Sequence, residues 1–100
     1  MAYEHLRDGL TKGNLWVYIL SVLEGGPCAP RRLKGEVRRR YGFSPATITF
    51  YSVLYRLRRE GLVVKSTDEF RSDYEVTDEG RRQLARAREL IRDLGKSLSG

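Results

Sequence analysis

The 100-residue chain predicts a mostly helical α+β fold: three helices, a two-stranded β-hairpin and a C-terminal helix, with the second and third helices joined by a short turn. Three observations carry this expectation. Apolar residues recur every three or four positions in four separate stretches, the spacing of a helix face. Helix stop signals at Gly25-Gly26-Pro27, Gly42 and Gly61 cut the first three stretches at short intervals. Between Gly61 and Thr77 the pattern changes to partly alternating, β-prone residues.

Residues 1–10 are polar and contain Gly9, and read as a short N-terminal arm. Thr11 is placed to cap a first helix from about Lys12 to Glu24. Leu15, Ile19, Val22 and Leu23 form its core stripe, and Trp16, Val17 and Leu20 widen the apolar surface beyond one face. A helix this apolar needs cover on several sides, and in so small a domain a second subunit is one source of it. The second helix runs from Pro30, pre-organised for a first helical turn, to Tyr41, with Gly42 ending it. Leu33 and Val37 anchor it, and the link Gly42-Phe43-Ser44 leads on as a helix-turn-helix.

The stretch from Ser44 to Val64 organises the rest. Ser44 is a good N-cap, Pro45 suits the first helical position and Gly61 ends the helix. Phe50, Val53, Leu54 and Leu57 fall on one stripe of the wheel, with Ala46 at its edge. The other side carries Ile48, Thr49, Ser52, Tyr55, Arg56 and Arg59, group types that contact bases and phosphates. Arg58 lies nearer the core side of the wheel and is left out of the base readers.

Leu62–Ser66 and Asp73–Thr77 then pair as an antiparallel hairpin, the wing of a winged helix-turn-helix. Its tip mixes Asp68, Glu69 and Asp73 with Lys65 and Arg71, so a backbone-touching wing competes with a solvated hairpin whose Phe70 packs locally. Thr77 caps the last helix, with Asp78 and Glu79 at its positive dipole end. Gly80, Leu84, Ala87, Ile91, Leu94 and Leu98 make a narrow heptad-like seam, either packed on its own domain or shared between subunits; the intersubunit reading is preferred because the first helix also has apolar surface to spare. The division that follows is an arm at 1–10, a DNA-binding domain at 11–77 and a dimerisation helix at 78–100.

Charge is concentrated. Residues 31–60 hold nine basic side chains against Glu36 and Glu60, a local +7 in a chain whose net charge is +6, so the rest sums to −1. Such a field on two adjacent helices is a polyanion footprint, and nucleic acid is the polyanion it fits. The single Cys28 and single His5 offer no disulfide and no soft metal-ligand set. No nucleophile–base pair, phosphate loop or paired-carboxylate motif is present, which argues against an enzyme and a cofactor. No apolar run is long enough to span a membrane, and the expected location is the cytoplasm.

In this order of elements the chain resembles the PadR-like family of transcriptional regulators. The resemblance lies in Thr49-Phe50-Tyr51, Leu54, Arg56-Leu57 and Glu60-Gly61-Leu62-Val63, similar to the family's T-L-Y, L, R-L and E-G-L run, and in Tyr74-Glu75-Val76-Thr77-Asp78-Glu79-Gly80, similar to its Y-x-L-T-x-x-G junction. Ile19, Leu20, Val22 and Leu23 suit its first helix, and Ser52 stands where the family often has proline. The resemblance implies a homodimeric repressor on a pseudo-palindromic operator, with the third helix in the major groove. It also implies that some members answer to small aromatic or cationic effectors, for which Trp16 is a candidate contact.

The expected base readers are Thr47, Ile48, Thr49, Ser52 and Arg56. Arg31, Arg32, Lys34, Arg38, Arg39, Arg40, Ser44, Tyr51, Tyr55, Arg59, Lys65 and Arg71 are the expected phosphate contacts. Trp16, Leu20, Leu84, Ala87, Ile91, Leu94 and Leu98 are expected at a dimer interface. The competing function is a winged-helix adaptor that uses the basic face for an acidic protein partner.

Overall fold

Helix α2 (Leu15–Leu23) is the centre of the structure, a computed structural model that describes residues 1–68 and 70–100. Five of its nine residues, Leu15, Ile19, Leu20, Val22 and Leu23, are buried, because α3 (Pro30–Tyr41), α4 (Thr47–Arg59), α5 (Asp78–Leu98) and the second hairpin strand all pack on it. Its wide apolar surface is therefore covered from within the domain. Leu20, expected at a subunit interface, is fully buried here and has no surface to offer a second copy.

Helix α2 starts at Leu15 rather than Lys12, and Lys12–Asn14 forms a separate 3-10 turn. Thr11 does not cap it: the Thr11 hydroxyl donates backwards to the Arg7 carbonyl at 2.8 Å. That bond closes a helix the sequence reading lacks, α1 (Ala2–Leu10), formed by the N-terminal arm. Tyr3, Leu6 and Leu10 recur along α1 at helical spacing, yet none of its residues is buried. The Tyr18 hydroxyl holds its end, donating to the Leu10 carbonyl at 2.6 Å.

Helix α3 has the expected limits. Pro30 opens it, Leu33 and Val37 are fully buried, and Gly42 takes a left-handed φ of 75° that lets its N–H close on the Arg38 carbonyl. Helix α4 begins later than expected. Ala46, not Ser44, occupies the N-cap, and Pro45 precedes the helix instead of opening it. Pro45 is buried, and Ala46, expected at the edge of the core stripe, is exposed. The turn is longer because Phe43 is used for packing, its ring 5.0 Å from Tyr18 edge-to-face. At the other end, Gly61 at φ 76° allows Leu62 N–H to reach Leu57 O and Gly61 N–H to reach Arg58 O, a Schellman closure.

Strands β1 (Val63–Lys65) and β2 (Tyr74–Val76) pair antiparallel in the register Val63↔Val76, Val64↔Glu75 and Lys65↔Tyr74. Val63, Tyr74 and Val76 point inward. Cys28 forms an isolated bridge to β2: its N–H donates to the Tyr74 carbonyl at 3.0 Å and its C=O accepts from the Tyr74 N–H at 2.8 Å. At the tip, Asp68 accepts from Phe70 N–H and Arg71 N–H, and Phe70 stands 89% exposed, so it does not pack locally. Glu69, assigned to the acidic tip, lies outside the described residues.

Thr77 joins the hairpin to α5. Its hydroxyl accepts from Gly80 N–H at 3.0 Å and donates to Gly61 O at 2.7 Å, capping α5 while holding the end of α4. Helix α5 continues through Gly95 to Leu98. Its seam divides. Gly80 and Leu84 are buried in the domain and Ala87 is half-buried, whereas every residue from Arg88 onward is exposed. Leu84 is thus core, not intersubunit surface, and the free end of α5 helps to stretch the molecule to 52 × 27 × 22 Å.

Candidate nucleic-acid interface

The basic residues of α3 separate onto two faces. Arg31, Lys34 and Arg38, spaced three and four apart, turn toward the start of α4 and there line one depression of about 420 Å³ with Gly35, Ser44, Thr47 and Tyr51. Ser44, no helix cap, thus serves as a wall of this basic cradle. Tyr51 is half-buried, its ring edge-to-face with Phe50 at 5.3 Å, and still borders the cradle.

The second face carries its own carboxylate, which pairs with two of the arginines. Arg39 grips Glu36 with two hydrogen bonds of 2.7 and 3.2 Å, and Arg40 adds a third at 3.1 Å. These bonds, Arg39's foremost, pull the Glu36 carboxyl down to about 2 from an ordinary 4.5. The carboxylate is therefore charged throughout the range in which DNA binding is measured; its stabilising bonds are complete above about 4.5 and are lost as pH falls toward 2. Arg32 lies on this side too, beside Pro27 and Cys28. Arg32, Arg39 and Arg40 are accordingly not part of the cradle, although the sequence grouped them with Arg31. Glu36→Gln should free Arg39 and Arg40, and the salt slope of nonspecific DNA binding should steepen by about one, read by fluorescence anisotropy over a salt series.

All five expected base readers are exposed on α4. Ile48, 86% exposed, stands on its outward side, and Ser52, Tyr55 and Arg59 line a depression of about 610 Å³ on that helix. Arg58 joins them, a contact the wheel missed because a long side chain in the last helical turn can swing clear of the core. Thr47 belongs to the cradle. Arg56 faces another way, toward Trp16, Leu57, Glu60, Leu62 and Gln83 around a space of about 260 Å³. Trp16 is half-buried there. Lys65 and Arg71 sit on the wing beside Asp73 and Glu75, apart from the α3–α4 cradle.

Burial raises the Cys28 thiol pKa, the reverse of nucleophile activation. Among the described residues no three His, Cys, Asp or Glu side chains gather as a metal site.

A basic cradle against the start of an exposed helix, followed by a hairpin, is the arrangement of a winged-helix DNA-binding domain. The sequence pattern of the transcriptional regulator PadR-like family matches residues 19–86, well over half of the chain. The chain belongs to the PadR-like family. PadR-like proteins are DNA-binding transcriptional regulators rather than enzymes, and this chain is one of them. Similar solved structures include a transcriptional regulator from Clostridium thermocellum, 23% identical over 87% of this chain and 88% of that one, with a TM-score of 0.76. A PadR-like transcription factor from Bacteroides fragilis is 21% identical over 95% and 96% of the two chains, with a TM-score of 0.73. The winged-helix DNA-binding protein from STIV shares 14% identity over 84% and 92%, with a TM-score of 0.71. At these identities the likeness is one of fold. No curated protein matches the chain. No described helix is long and apolar enough to cross a membrane. The PadR match leaves out α1 and the exposed end of α5.

Proposed function

We propose that this PadR-like regulator is a cytoplasmic homodimeric repressor that reads a pseudo-palindromic operator with α4 in the major groove. The observation that carries the reading is the convergence of Arg31, Lys34 and Arg38 with Ser44 and Thr47 at the start of a helix whose outward side is bare. In the proposed complex, the cradle grips a phosphate strand. Ile48, Thr49 and Ser52 then face base edges, Ile48 meeting a thymine methyl, while Tyr55 and Arg59 reach the flanking backbone. Arg56, set to one side beside Trp16, reads at the edge of the half-site. An aromatic or cationic effector seated by Trp16 would touch that same arginine.

Dimerisation is supported by the far end of α5. Ile91, Leu94 and Leu98 continue the heptad spacing after the domain has ceased to cover it, and Leu90 lies beside them, all more than half exposed. Paired copies present two α4 helices roughly 34 Å apart, one turn of the duplex. Changing Ile91 and Leu94 together to Asp should yield a folded monomer by sedimentation, with operator affinity reduced on the order of a hundredfold as the second half-site is lost.

Selection of bound sequences from a random DNA pool tests the whole reading. A two-fold symmetric consensus with half-sites one helical turn apart is the expected result. Enrichment of a single asymmetric site would overturn the dimer. No enrichment, with no steep salt dependence, would overturn sequence reading in favour of an adaptor role.

A further inference from the structure

One side chain holds α5 at the point where it leaves the domain. The Arg88 guanidinium donates to both carboxylate oxygens of Glu24, at 2.9 and 2.8 Å, and to Ser21 Oγ at 3.2 Å. Glu24 and Ser21 belong to the end of α2, 64 and 67 residues earlier in the chain. This is the one ion pair among the described residues that joins two separate helices; the other side-chain pairs lie within a helix or between sequence neighbours. Beyond Arg88 no residue of α5 is covered.

The grip continues toward the DNA-reading unit. Ser21 Oγ also accepts from the Tyr41 hydroxyl at 2.7 Å, and Tyr41 packs edge-on against Tyr18 with centroids 4.8 Å apart. Tyr18 in turn packs against Phe43, in the turn between α3 and α4. Arg88 therefore ties the exit of α5 to the same aromatic group that supports the helix-turn-helix bend.

We infer that Arg88 is a positioning residue which, through Glu24 and Ser21, sets the angle of α5 and so the distance between half-sites that a dimer can read. The inference rests on the dimeric reading above. Its leverage follows from length. The ten residues after Arg88 extend about 15 Å, so a tilt of roughly 10° moves their end by about 3 Å, and two-fold symmetry doubles this to more than the roughly 3.4 Å rise of a base pair. A two-pronged arginine–carboxylate contact restrains orientation as well as distance, which a single-point ammonium contact does not.

The test uses the full chain and a set of palindromes built from the selected half-site, with the spacer varied one base pair at a time. The wild type should prefer one spacing over its neighbours by roughly tenfold, and Arg88→Ala and Glu24→Gln should each reduce that preference to about twofold, with affinity for an isolated half-site and dimer dissociation unchanged. Arg82→Ala, whose partner Glu79 lies on its own helix, should keep the wild-type preference. Full spacing preference in both Arg88→Ala and Glu24→Gln would overturn the inference. A loss of half-site affinity equal to the loss at the palindrome would overturn it as well, since the residue would then act on folding rather than on spacing. A wild-type chain that sediments as a monomer on DNA overturns the dimeric reading itself, an outcome seen before any variant is made.

Discussion

The triple variant Arg31→Ala, Lys34→Ala, Arg38→Ala should bind DNA on the order of a hundredfold more weakly at physiological salt, on operator and random duplex alike, and its plot of log affinity against log salt should be shallower by about three. Each of these side chains releases a counterion when it meets a phosphate, and none has an acidic partner among the described residues, so their charge is fully available. The pair Arg39→Ala, Arg40→Ala supplies the contrast. Both arginines already neutralise Glu36, and their removal should change the slope by less than about one. Anisotropy titrations at four or more salt concentrations read both slopes. Equal losses from the two variants would mean that the cradle is not the phosphate grip.

The largest expected effect on stability comes from a single added methyl group. In Gly80→Ala the new Cβ would run into the Leu62 carbonyl oxygen and would lie 2.7 Å from Val76 Cγ2. The oxygen belongs to backbone already fixed by the Thr77 N–H bond, and Gly80 itself is held by the Thr77 hydroxyl, so neither side can yield cheaply. Overpacking of this kind costs about 3 kcal/mol, which in a domain of this size lowers Tm by more than about 12 °C. Gly35→Ala is the control. It lies mid-helix with nothing near its missing Cβ, and the same substitution there should raise stability by about 1 kcal/mol. Thermal melts followed by circular dichroism compare the two, and a harmless Gly80→Ala would show that the junction between β2 and α5 can open.

Local signals carried most of the element order. Pro30 and Gly42 bound α3 at the expected residues, and Thr77 caps α5 as read. Gly61 closes α4 because a left-handed residue followed by Leu62 makes a Schellman end, a signal contained in the two residues themselves. The start of α4 failed for the opposite reason. Ser44 and Pro45 satisfy every local rule for opening a helix, but Phe43 is drawn to Tyr18 and Pro45 into the core, and packing moved the start to Thr47. The arm is the helix α1, whose stripe of Tyr3, Leu6 and Leu10 is left exposed and whose end is held by the Thr11 and Tyr18 hydroxyls, the second of these a contact from eight residues away.

The candidate site was legible as a list and illegible as an arrangement. Composition and the helical wheel singled out the basic residues of α3 and the outward side of α4, since charge and periodicity are properties of the chain alone. Which arginines are free is decided by neighbours in space. Glu36 occupies Arg39 and Arg40, Arg32 turns away with them, Arg58 swings out to join Tyr55, and Arg56 faces Trp16. The seam of α5 shows the same limit, because a heptad repeat does not record where its cover ends.

The identity of α2 to α5, the helix-turn-helix order, the hairpin and the sign of the partner's charge were determined by the sequence, because each depends on residues within a few positions of one another or on their sum. Tertiary structure alone decided that Leu20 and Leu84 are core, that Arg31, Lys34 and Arg38 form the cradle, and that Arg88 reaches Glu24, since these depend on which surfaces meet after the chain has folded.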